Sequence, residues 1–250
     1  MRVSETAVVI PAHNEAARIA HAIWSVGIQP EMESDVRPAV IVVDNDSTDG
    51  TADRARTMAG WCKEQSFNLH VITEPEPGIA AACNAGFRYA VEELDARVIA
   101  CIDADTTPWH LWFPSLFNRH ARQDDLALLS GPVDMHFDGS VRMLDDILGH
   151  AAKGLGKAIK AARYRELGML RFAPGHNMST TAEAFTKVGG FTPDAKISDD
   201  VDYNLKIMRE FGARALGFEL NMRAWTSARR LRQLGYLRTA LYYATDKVRP

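Results

Sequence analysis

The chain has 250 residues, of which 46% are hydrophobic and 24% charged, and its formal net charge is −3, which predicts a globular protein with a full core and excludes disordered, fibrous and miniature proteins. No run of about eighteen apolar residues occurs and the N-terminus lacks a long apolar stretch, so we expect neither a membrane span nor an export signal. Three cysteines without CxxC spacing argue against a disulfide framework and a cysteine zinc site, and we expect a cytoplasmic protein.

Short apolar runs alternate with helical patterns in the first part of the chain. The apolar runs predict strands at residues 7–10, 40–43, 68–73 and 97–102. The helical periodicity predicts helices at residues 15–26, 52–64 and 79–93. Pro11 is expected to end the first strand. Apolar strands joined by such helices are typical of an α/β protein with a mostly parallel central sheet, whose ligands bind beyond the carboxyl ends of the strands.

The second part of the chain has a less regular pattern. We expect a strand over residues 125–133 and a strand or loop over residues 173–181. Helices are expected over residues 150–171, 200–211 and 229–244. No internal repeat or interdomain linker is evident, so we expect a single domain over residues 1–250.

Asp44 closes the second predicted strand and lies at the expected ligand-binding edge. A carboxylate at this position is suited to accept a hydrogen bond from a base N–H or a ribose hydroxyl. Residues 46–49 have the composition of a turn before a helix, which is a structural role. Neither GxGxxG nor GxxxxGK[ST] occurs, which argues against a dinucleotide-dependent oxidoreductase and a P-loop protein.

Asp103 and Asp105 follow the predicted strand that ends at Ile102. Alternate side chains that leave a strand point the same way, so the two carboxylates are able to share one ligand. Carboxylates bind Mg2+ and Mn2+, and these cations in turn bridge phosphates. The alternative is structural, because Asp often ends a strand by capping the following turn.

Asp199 and Asp200 stand at the start of a predicted helix. An acidic side chain gains about 0.3 to 1 kcal/mol from the helix dipole there, which is a sufficient structural explanation. The functional explanation is a carboxylate that takes a proton from an attacking hydroxyl, as a general base does. His176 also has two explanations, a satisfied polar side chain or a contact with an acceptor.

Six stretches of the sequence, taken together, resemble the family 2 glycosyltransferases. They are VVIPAHNE at 8–15, IVVDNDSTDGT at 41–51, NAG at 84–86, DAD at 103–105, VGGF at 188–191 and DDVD at 199–202. Their order and spacing match over residues 6–212. The resemblance implies a GT-A fold and an inverting transfer of a sugar from a nucleotide-sugar donor to an acceptor hydroxyl. UDP is the donor nucleotide that we favour.

The resemblance also implies a role for each matching residue. The nucleotide would be contacted by Pro11, Ala12, Asn14, Glu15, Asp44, Asn84, Asp103 and Ala104. Asp103 and Asp105 would hold Mn2+ or Mg2+ as the cofactor against the diphosphate, Asp200 would be the catalytic base, and Asp199 would be the acidic residue beside it. Residues 1–130 would bind the nucleotide sugar, and residues 131–250 would bind the acceptor and carry the base.

The sequence departs from the family pattern in its charged residues. Residues 79–83 supply no Arg or Lys to reach the nucleotide, and residues 221–227 contain no His to complete the metal site. The QxxRW motif is missing, which argues against a processive polysaccharide synthase. A sugar nucleotidyltransferase and a non-catalytic nucleotide-sugar-binding protein remain alternatives. We expect no nucleic-acid partner, because the basic residues are not interleaved with an aromatic platform.

The two parts of the chain carry opposite charge. Residues 1–150 contain 11 Lys+Arg and 23 Asp+Glu, a net charge of −12, and residues 151–250 contain 18 and 9, a net charge of +9. Chance clustering together with attraction between the parts is one explanation for this asymmetry.

Two basic clusters offer functional explanations. Lys153, Lys157 and Lys160 share one face of a predicted helix and would meet an anionic membrane at its inner face, or an anionic small-molecule, glycan or lipid-linked acceptor. Arg229 and Arg230 would clamp the donor diphosphate instead of the missing His, or contact the acceptor. A solvated charged face is the third explanation.

Overall fold

The structure is a computed structural model that describes residues 5–30, 37–136, 175, 177–195 and 198–229. These residues form an α/β fold with a central seven-stranded sheet. In spatial order its strands are β3 (Leu69–Glu74), β2 (Ala39–Asn45), β1 (Thr6–Ala12), β4 (Val98–Ile102), β8 (Asn177–Thr181), β6 (Leu128–Ser130) and β9 (Leu216–Phe218). A second sheet contains β5 (Thr106–Pro108), β10 (Ala224–Ser227) and β7 (Val133–His136), in this order.

Helices flank the central sheet on both faces. They are α1 (Ile19–Gly27), α2 (Thr51–Arg56), α3 (Ala59–Glu64), α4 (Ile79–Glu92), α5 (Trp112–Arg122), α6 (Ala182–Lys187) and α7 (Asp199–Phe211). A short 3₁₀ helix follows at Ala213–Ala215.

The central sheet is mostly parallel, as the apolar strands predicted. β1 is parallel to β2 and β4, β2 is parallel to β3, and only β8 runs antiparallel to its neighbours β4 and β6. Every residue of β1 is buried. Val8 and Ile10 pack in the core that includes α1, while Val9 packs in the core that includes α4. Burial on both faces explains why these strands read as continuous apolar runs.

The first strand is longer than predicted, and the first helix is shorter. β1 continues through Pro11, which pairs with Val43 of β2, and ends at Ala12. α1 begins at Ile19 instead of residue 15. Asn14 has a left-handed φ of 54°, which interrupts a regular entry into the helix, and a turn follows in which the Glu15 carbonyl accepts from the Arg18 and Ile19 N–H groups.

The predicted helix over residues 52–64 is two helices, α2 and α3. At their junction the Thr57 hydroxyl donates to the Arg54 carbonyl at 2.7 Å. The Met58 N–H donates to the carbonyl of Ala55, three residues earlier, at 3.0 Å. This tighter turn interrupts the α-helical pattern of hydrogen bonds, so α2 and α3 are separate helices.

The predicted strand over residues 125–133 is also divided, and its parts lie in different sheets. β6 belongs to the central sheet and β7 to the small one, with Gly131 and Pro132 between them. A β-carbon on Gly131 would lie 1.8 Å from the Met222 carbonyl oxygen, so only glycine fits this approach. Pro132 has no N–H to donate, which favours an interruption of the ladder here.

Several predictions concern residues outside the described ranges. The predicted helix over residues 150–171, with its three lysines, and residues 230–244 of the last predicted helix are among them. None of the helices within the described ranges is both long and apolar enough to cross a bilayer. The three cysteines are buried and form no disulfide.

His120 fastens α5 to the central sheet. Its Nε2 atom lies 2.9 Å from the Ser179 hydroxyl of β8, and 8% of the residue is exposed. Burial lowers the pKa of His120 to about 4, with a smaller contribution from the charge of Arg119. The imidazole is therefore neutral in the folded protein at neutral pH.

We expect this histidine to make the protein sensitive to acid. As pH falls from 6.5 to about 4, the unfolded chain binds a proton at His120 before the folded chain does. The free energy of unfolding therefore falls, by about 3 kcal/mol across that window from this group. His120→Gln retains an amide near Ser179 but does not titrate, so urea unfolding at pH 7 and pH 4.5 should show a smaller loss. An equal loss in both proteins would contradict the assignment.

Candidate active site

The parallel strands bring the predicted carboxylates to one edge of the sheet. Ala12, the last residue of β1, pairs with Asp44 of β2. β4 lies on the other side of β1 and ends at Ile102, so that Asp103 leaves the sheet at the same edge. The carboxyl ends of three neighbouring strands therefore converge as the sequence predicted.

Asp44 is buried at this edge, with 7% of the residue exposed. Its Oδ1 atom is buried and has no hydrogen-bond partner among the residues that the structure describes. A buried polar atom without a partner is costly, and native proteins rarely retain one without a reason. The arrangement points to a ligand that donates a hydrogen bond to Asp44.

Arg229 joins the beginning and the end of the described chain at this edge. Its Nη2 atom contacts Glu15 Oε1 and lies 3.3 Å from Asp105 Oδ2. The guanidinium is partly exposed, whereas 7% of the Glu15 side chain and 14% of the Asp105 side chain are exposed. The hydrogen bond to Glu15, with the charges of Asp105 and Asp103, raises the pKa of Arg229. Arg18 also reaches Glu15, at 3.5 Å.

Strand β10 holds Arg229 in this place. β10 pairs antiparallel with β5, which directly follows Asp105. The Ser227 N–H donates to the Asp105 carbonyl at 3.1 Å, and the Thr226 hydroxyl lies 3.4 Å from Asp105 Oδ1. Arg229 comes two residues after this strand, so the small sheet brings its guanidinium to the carboxylates.

Asp103 and Asp105 fit a cation that is shared with a phosphate. Within the described ranges, no three His, Cys, Asp or Glu side chains form a group that could enclose a metal. Mg2+ does not need such a cage, because it commonly binds one or two carboxylates, substrate phosphates and waters. Two carboxylates at this edge are therefore of the kind that holds Mg2+ or Mn2+ together with a diphosphate.

Three predicted nucleotide contacts offer only their backbone to this edge. Pro11 is buried in β1, and Ala12 and Ala104 are 3% and 4% exposed, with their side chains in the core. Their predicted contact with the nucleotide therefore depends on backbone atoms.

Asn14 and Asp49 brace the loops that follow β1 and β2. Asn14 Oδ1 accepts from the Thr48 N–H at 2.9 Å. Asp49 accepts from the Ala16 N–H at 3.0 Å and from Thr51, whose hydroxyl is the main reason that the pKa of Asp49 is lowered. The structural role predicted for residues 46–49 is confirmed, and Asn14 shares in it.

Asp200 reaches the same edge from the other half of the chain. In the antiparallel pairing of β8 and β4, Asn177 lies opposite Ile102, so Gly175 lies near the carboxyl end of β4. The Gly175 nitrogen is 3.5 Å from Asp200 Oδ2. Asp200 Oδ1 accepts from the Val201 N–H at 2.9 Å and from the Ser198 hydroxyl.

The acidic neighbours of Asp200 in α7 differ in their surroundings. Asp199 begins α7 beside Asp200, as predicted. Asp202 accepts from the Thr192 hydroxyl at 2.6 Å and pairs with Lys206 at 3.5 Å, which is a structural role. His176 and Arg230 lie outside the described residues.

Asn84 has both ends of its amide engaged by the backbone of one residue, Phe191. Its Nδ2 donates to the Phe191 carbonyl at 2.9 Å, and its Oδ1 accepts from the Phe191 N–H at 2.8 Å. Gly190 is so close that a β-carbon there would lie 2.5 Å from Asn84 Oδ1. Asn84 therefore connects α4 with the turn that precedes the segment bearing Asp200. Its predicted contact with the nucleotide stays a prediction.

Two buried asparagines around the site were missed by sequence reasoning. Asn45 donates to the Glu74 and Glu76 carbonyls and accepts from the Gly78 N–H, which holds the connection between β3 and α4. Asn177 accepts from the Trp112 indole at 2.7 Å and donates to the Met222 carbonyl at 2.8 Å. A polar residue next to an apolar run was the only signal for either role.

A family model described as Glycosyl transferase family 2 matches residues 7–188 of the chain. Glycosyltransferase AglE from Haloferax volcanii is 34% identical over 106 residues, a stretch that makes up 42% of this chain and 32% of that protein. The match thus spans about a third of the length of this curated relative.

Solved structures share the fold at low sequence identity. Mannosyltransferase PcManGT from Pyrobaculum calidifontis, in complex with GDP-Man and Mn2+, has a TM-score of 0.63 and 20% identity, and the match covers 98% of this chain and 65% of that one. Glucosyl-3-phosphoglycerate synthase from Mycobacterium tuberculosis, in complex with Mn2+, UDP and glucosyl-3-phosphoglycerate, has a TM-score of 0.59 and 21% identity, with coverages of 95% and 77%. These likenesses confirm the predicted GT-A fold.

We expect Asn84→Ala to act on stability before it acts on binding. The substitution leaves the buried N–H and carbonyl of Phe191 without partners, so the free energy of unfolding should fall by about 2 to 4 kcal/mol in urea titrations. Because both ends of the amide are already engaged, the folded variant should keep its UDP affinity. Unchanged stability with weaker UDP binding would instead support direct contact with the nucleotide.

Proposed function

The chain belongs to glycosyl transferase family 2, and on this premise we propose that it transfers a sugar, with inversion, from a UDP-sugar to an acceptor hydroxyl. The observation that carries the proposal is the buried, unpaired Oδ1 atom of Asp44 at the edge that Asp103 and Asp105 also reach. A base that donates one N–H, next to a diphosphate on a cation, matches this combination of groups.

The nucleoside would occupy the end of β1 and β2. Asp44 would accept from the base, while the backbone of Pro11, Ala12 and Ala104 would form the adjoining wall. We favour uracil, whose ring N–H is suited to donate to the buried Oδ1 atom of Asp44, which has no partner within the described residues. Of the similar structures, one was solved with UDP and another with GDP-Man, so the choice of base is a proposal.

The diphosphate would lie beside Asp103, Asp105 and Arg229. Asp103 and Asp105 would hold Mn2+ or Mg2+, and the cation, when bound, would offset the charge on the leaving diphosphate. Arg229 is already at Asp105, with five N–H donors in a fork that suits phosphate oxygens. It would clamp the diphosphate in place of the missing His.

Asp200 would act as the general base on the acceptor. Hydrogen bonds from the Ser198 hydroxyl and the Val201 N–H to Oδ1 restrict the rotation of the Asp200 carboxylate. Asp200 would take the proton of the acceptor hydroxyl while the hydroxyl oxygen attacks the anomeric carbon. The attack would come from the face opposite the diphosphate, which leaves, so the configuration of the anomeric carbon would be inverted. Asp199 would add negative charge beside it.

The acceptor is proposed by class only. Residues 1–130 would bind the nucleotide sugar, and residues 131–250 would bind a small-molecule, glycan or lipid-linked acceptor. A role for His176 or Arg230 in that contact is a prediction about residues outside the described ranges. Contact of residues 150–171 with an anionic membrane is likewise a prediction about residues outside the described ranges.

We expect Asp44→Asn to weaken UDP binding and to raise the free energy of unfolding. An amide replaces the charged acceptor, so UDP should bind about tenfold more weakly, equivalent to about 1.4 kcal/mol. The free energy of unfolding should rise, because the variant no longer buries an unpaired carboxylate oxygen. Calorimetric UDP titration and urea unfolding measure the two effects.

Asp46→Asn is the matched control for this substitution. It removes a carboxylate from an exposed position two residues later, where the left-handed φ of 54° suits Asn as well as Asp. It should change neither UDP affinity nor stability. Equal UDP affinity for the wild type and the Asp44→Asn protein would contradict the proposed nucleoside position.

We expect Asp200→Asn to abolish transfer while donor binding survives. The amide keeps the size of the side chain but cannot accept the proton, so turnover should fall about 10^2-fold or more. Turnover is measured as nucleoside diphosphate released from a panel of UDP- and GDP-sugars with Mn2+. Asp199→Asn, at the same helix end, should lose much less activity, and a similar loss in both would indicate a helix-end effect. Binding of nucleotide sugars without turnover in the wild type would favour a non-catalytic binding protein.

A further inference from the structure

Asp105 serves two partners at once in the proposed site. It is a proposed ligand of the divalent cation, and its Oδ2 atom is already 3.3 Å from the Arg229 guanidinium. A cation that approaches this oxygen meets a fixed positive charge beside it. Mn2+ alone must therefore replace Arg229 at Asp105 or accept repulsion from it.

Glu15 is the second anchor of Arg229. Its Oε1 atom contacts the same guanidinium nitrogen, and 7% of the Glu15 side chain is exposed. If Arg229 leaves Asp105, this contact keeps the guanidinium within the site. A diphosphate then offers oxygens that replace Asp105 as partners of Arg229, and it neutralises the repulsion between Arg229 and the cation.

We propose that Arg229 competes with the divalent cation for Asp105 until a diphosphate binds, and thereby makes the affinity for the cation depend on the nucleotide. This inference rests on the proposed function, because Asp105 must be a metal ligand. The cation and the diphosphate then enter together, since each removes an obstacle to the other. Such a coupling is reciprocal, so the cation strengthens nucleotide binding by the same factor.

Two other arginines within the described ranges form ion pairs that do not involve Asp105. Arg18 pairs with Glu15 through the other carboxylate oxygen, at 3.5 Å. Arg223 pairs with Asp134 at 3.6 Å. Among the described ion pairs, Asp105 is paired with Arg229, so Arg229 is the residue to substitute.

The test is a titration of the whole protein with Mn2+, followed by electron paramagnetic resonance, with and without UDP. In the wild type, Mn2+ alone should bind weakly, and saturating UDP should strengthen Mn2+ binding. In Arg229→Gln, Mn2+ alone should bind about tenfold more tightly than in the wild type, and UDP should add correspondingly less. Asp105→Asn should remove the Mn2+ site and serves as the zero reference.

Arg18→Gln is the matched control. It removes a guanidinium from the same Glu15 but leaves the pair of Arg229 with Asp105, so the affinity for Mn2+ alone should stay that of the wild type. Arg229→Lys keeps the positive charge and should retain most of the dependence on UDP. It also provides a second test if loss of charge beside the buried Glu15 prevents the Gln variant from folding.

The outcomes separate this inference from the proposed function. If the wild type binds UDP and Mn2+ but Arg229→Gln binds Mn2+ alone no more tightly than the wild type, the inference is wrong and the donor site stands. If Arg229→Lys is the variant that folds, a complete loss of UDP dependence despite the retained charge overturns the inference. A wild type that binds neither UDP nor Mn2+ overturns both.

Discussion

The parallel register of β1, β2 and β4 is the constraint on which the molecule depends. These strands are apolar on both faces, so a ligand-binding polar group has no place along most of their length. The first available positions are at or beyond their carboxyl ends, and the register aligns those ends at one edge. Asp44 and Asp103 lie together for this reason, although 58 residues separate their positions in the sequence.

Loops at such an edge need their own restraints, because no sheet continues beyond the strand ends. Asn14 and Asp49 tie the loop after β1 to the loop after β2, and Asn45 ties β2 to the start of α4. Each uses a short polar side chain to satisfy backbone groups that secondary structure leaves unpaired. These restraints hold the site in position before any ligand binds, which reduces the entropy that binding must overcome.

The buried charges at this edge are unfavourable for the stability of the fold. Glu15 and Asp105 are largely buried and share the guanidinium of Arg229, whereas a buried oxygen of Asp44 has no partner within the described residues. Burial of carboxylates generally destabilises a fold unless opposite charge or hydrogen bonds offset it. Local violations of this kind are expected where a protein binds something, because binding supplies the missing partner.

The sequence by itself determined the strands of the parallel sheet, the helices α4 and α7, and the family, because these depend on local apolar patterns and on short motifs. It also placed Asp44, Asp103 and Asp105 at the carboxyl edge of the sheet, since a residue that follows a buried parallel strand leaves the sheet at that edge. Tertiary structure decided the remainder. The division of the predicted strand at Gly131 depends on the Met222 carbonyl, and the contact of Arg229 with Glu15 joins positions 214 residues apart. These two contacts form between residues that are distant in the sequence and meet only in the folded sheets. A local sequence pattern therefore cannot predict them.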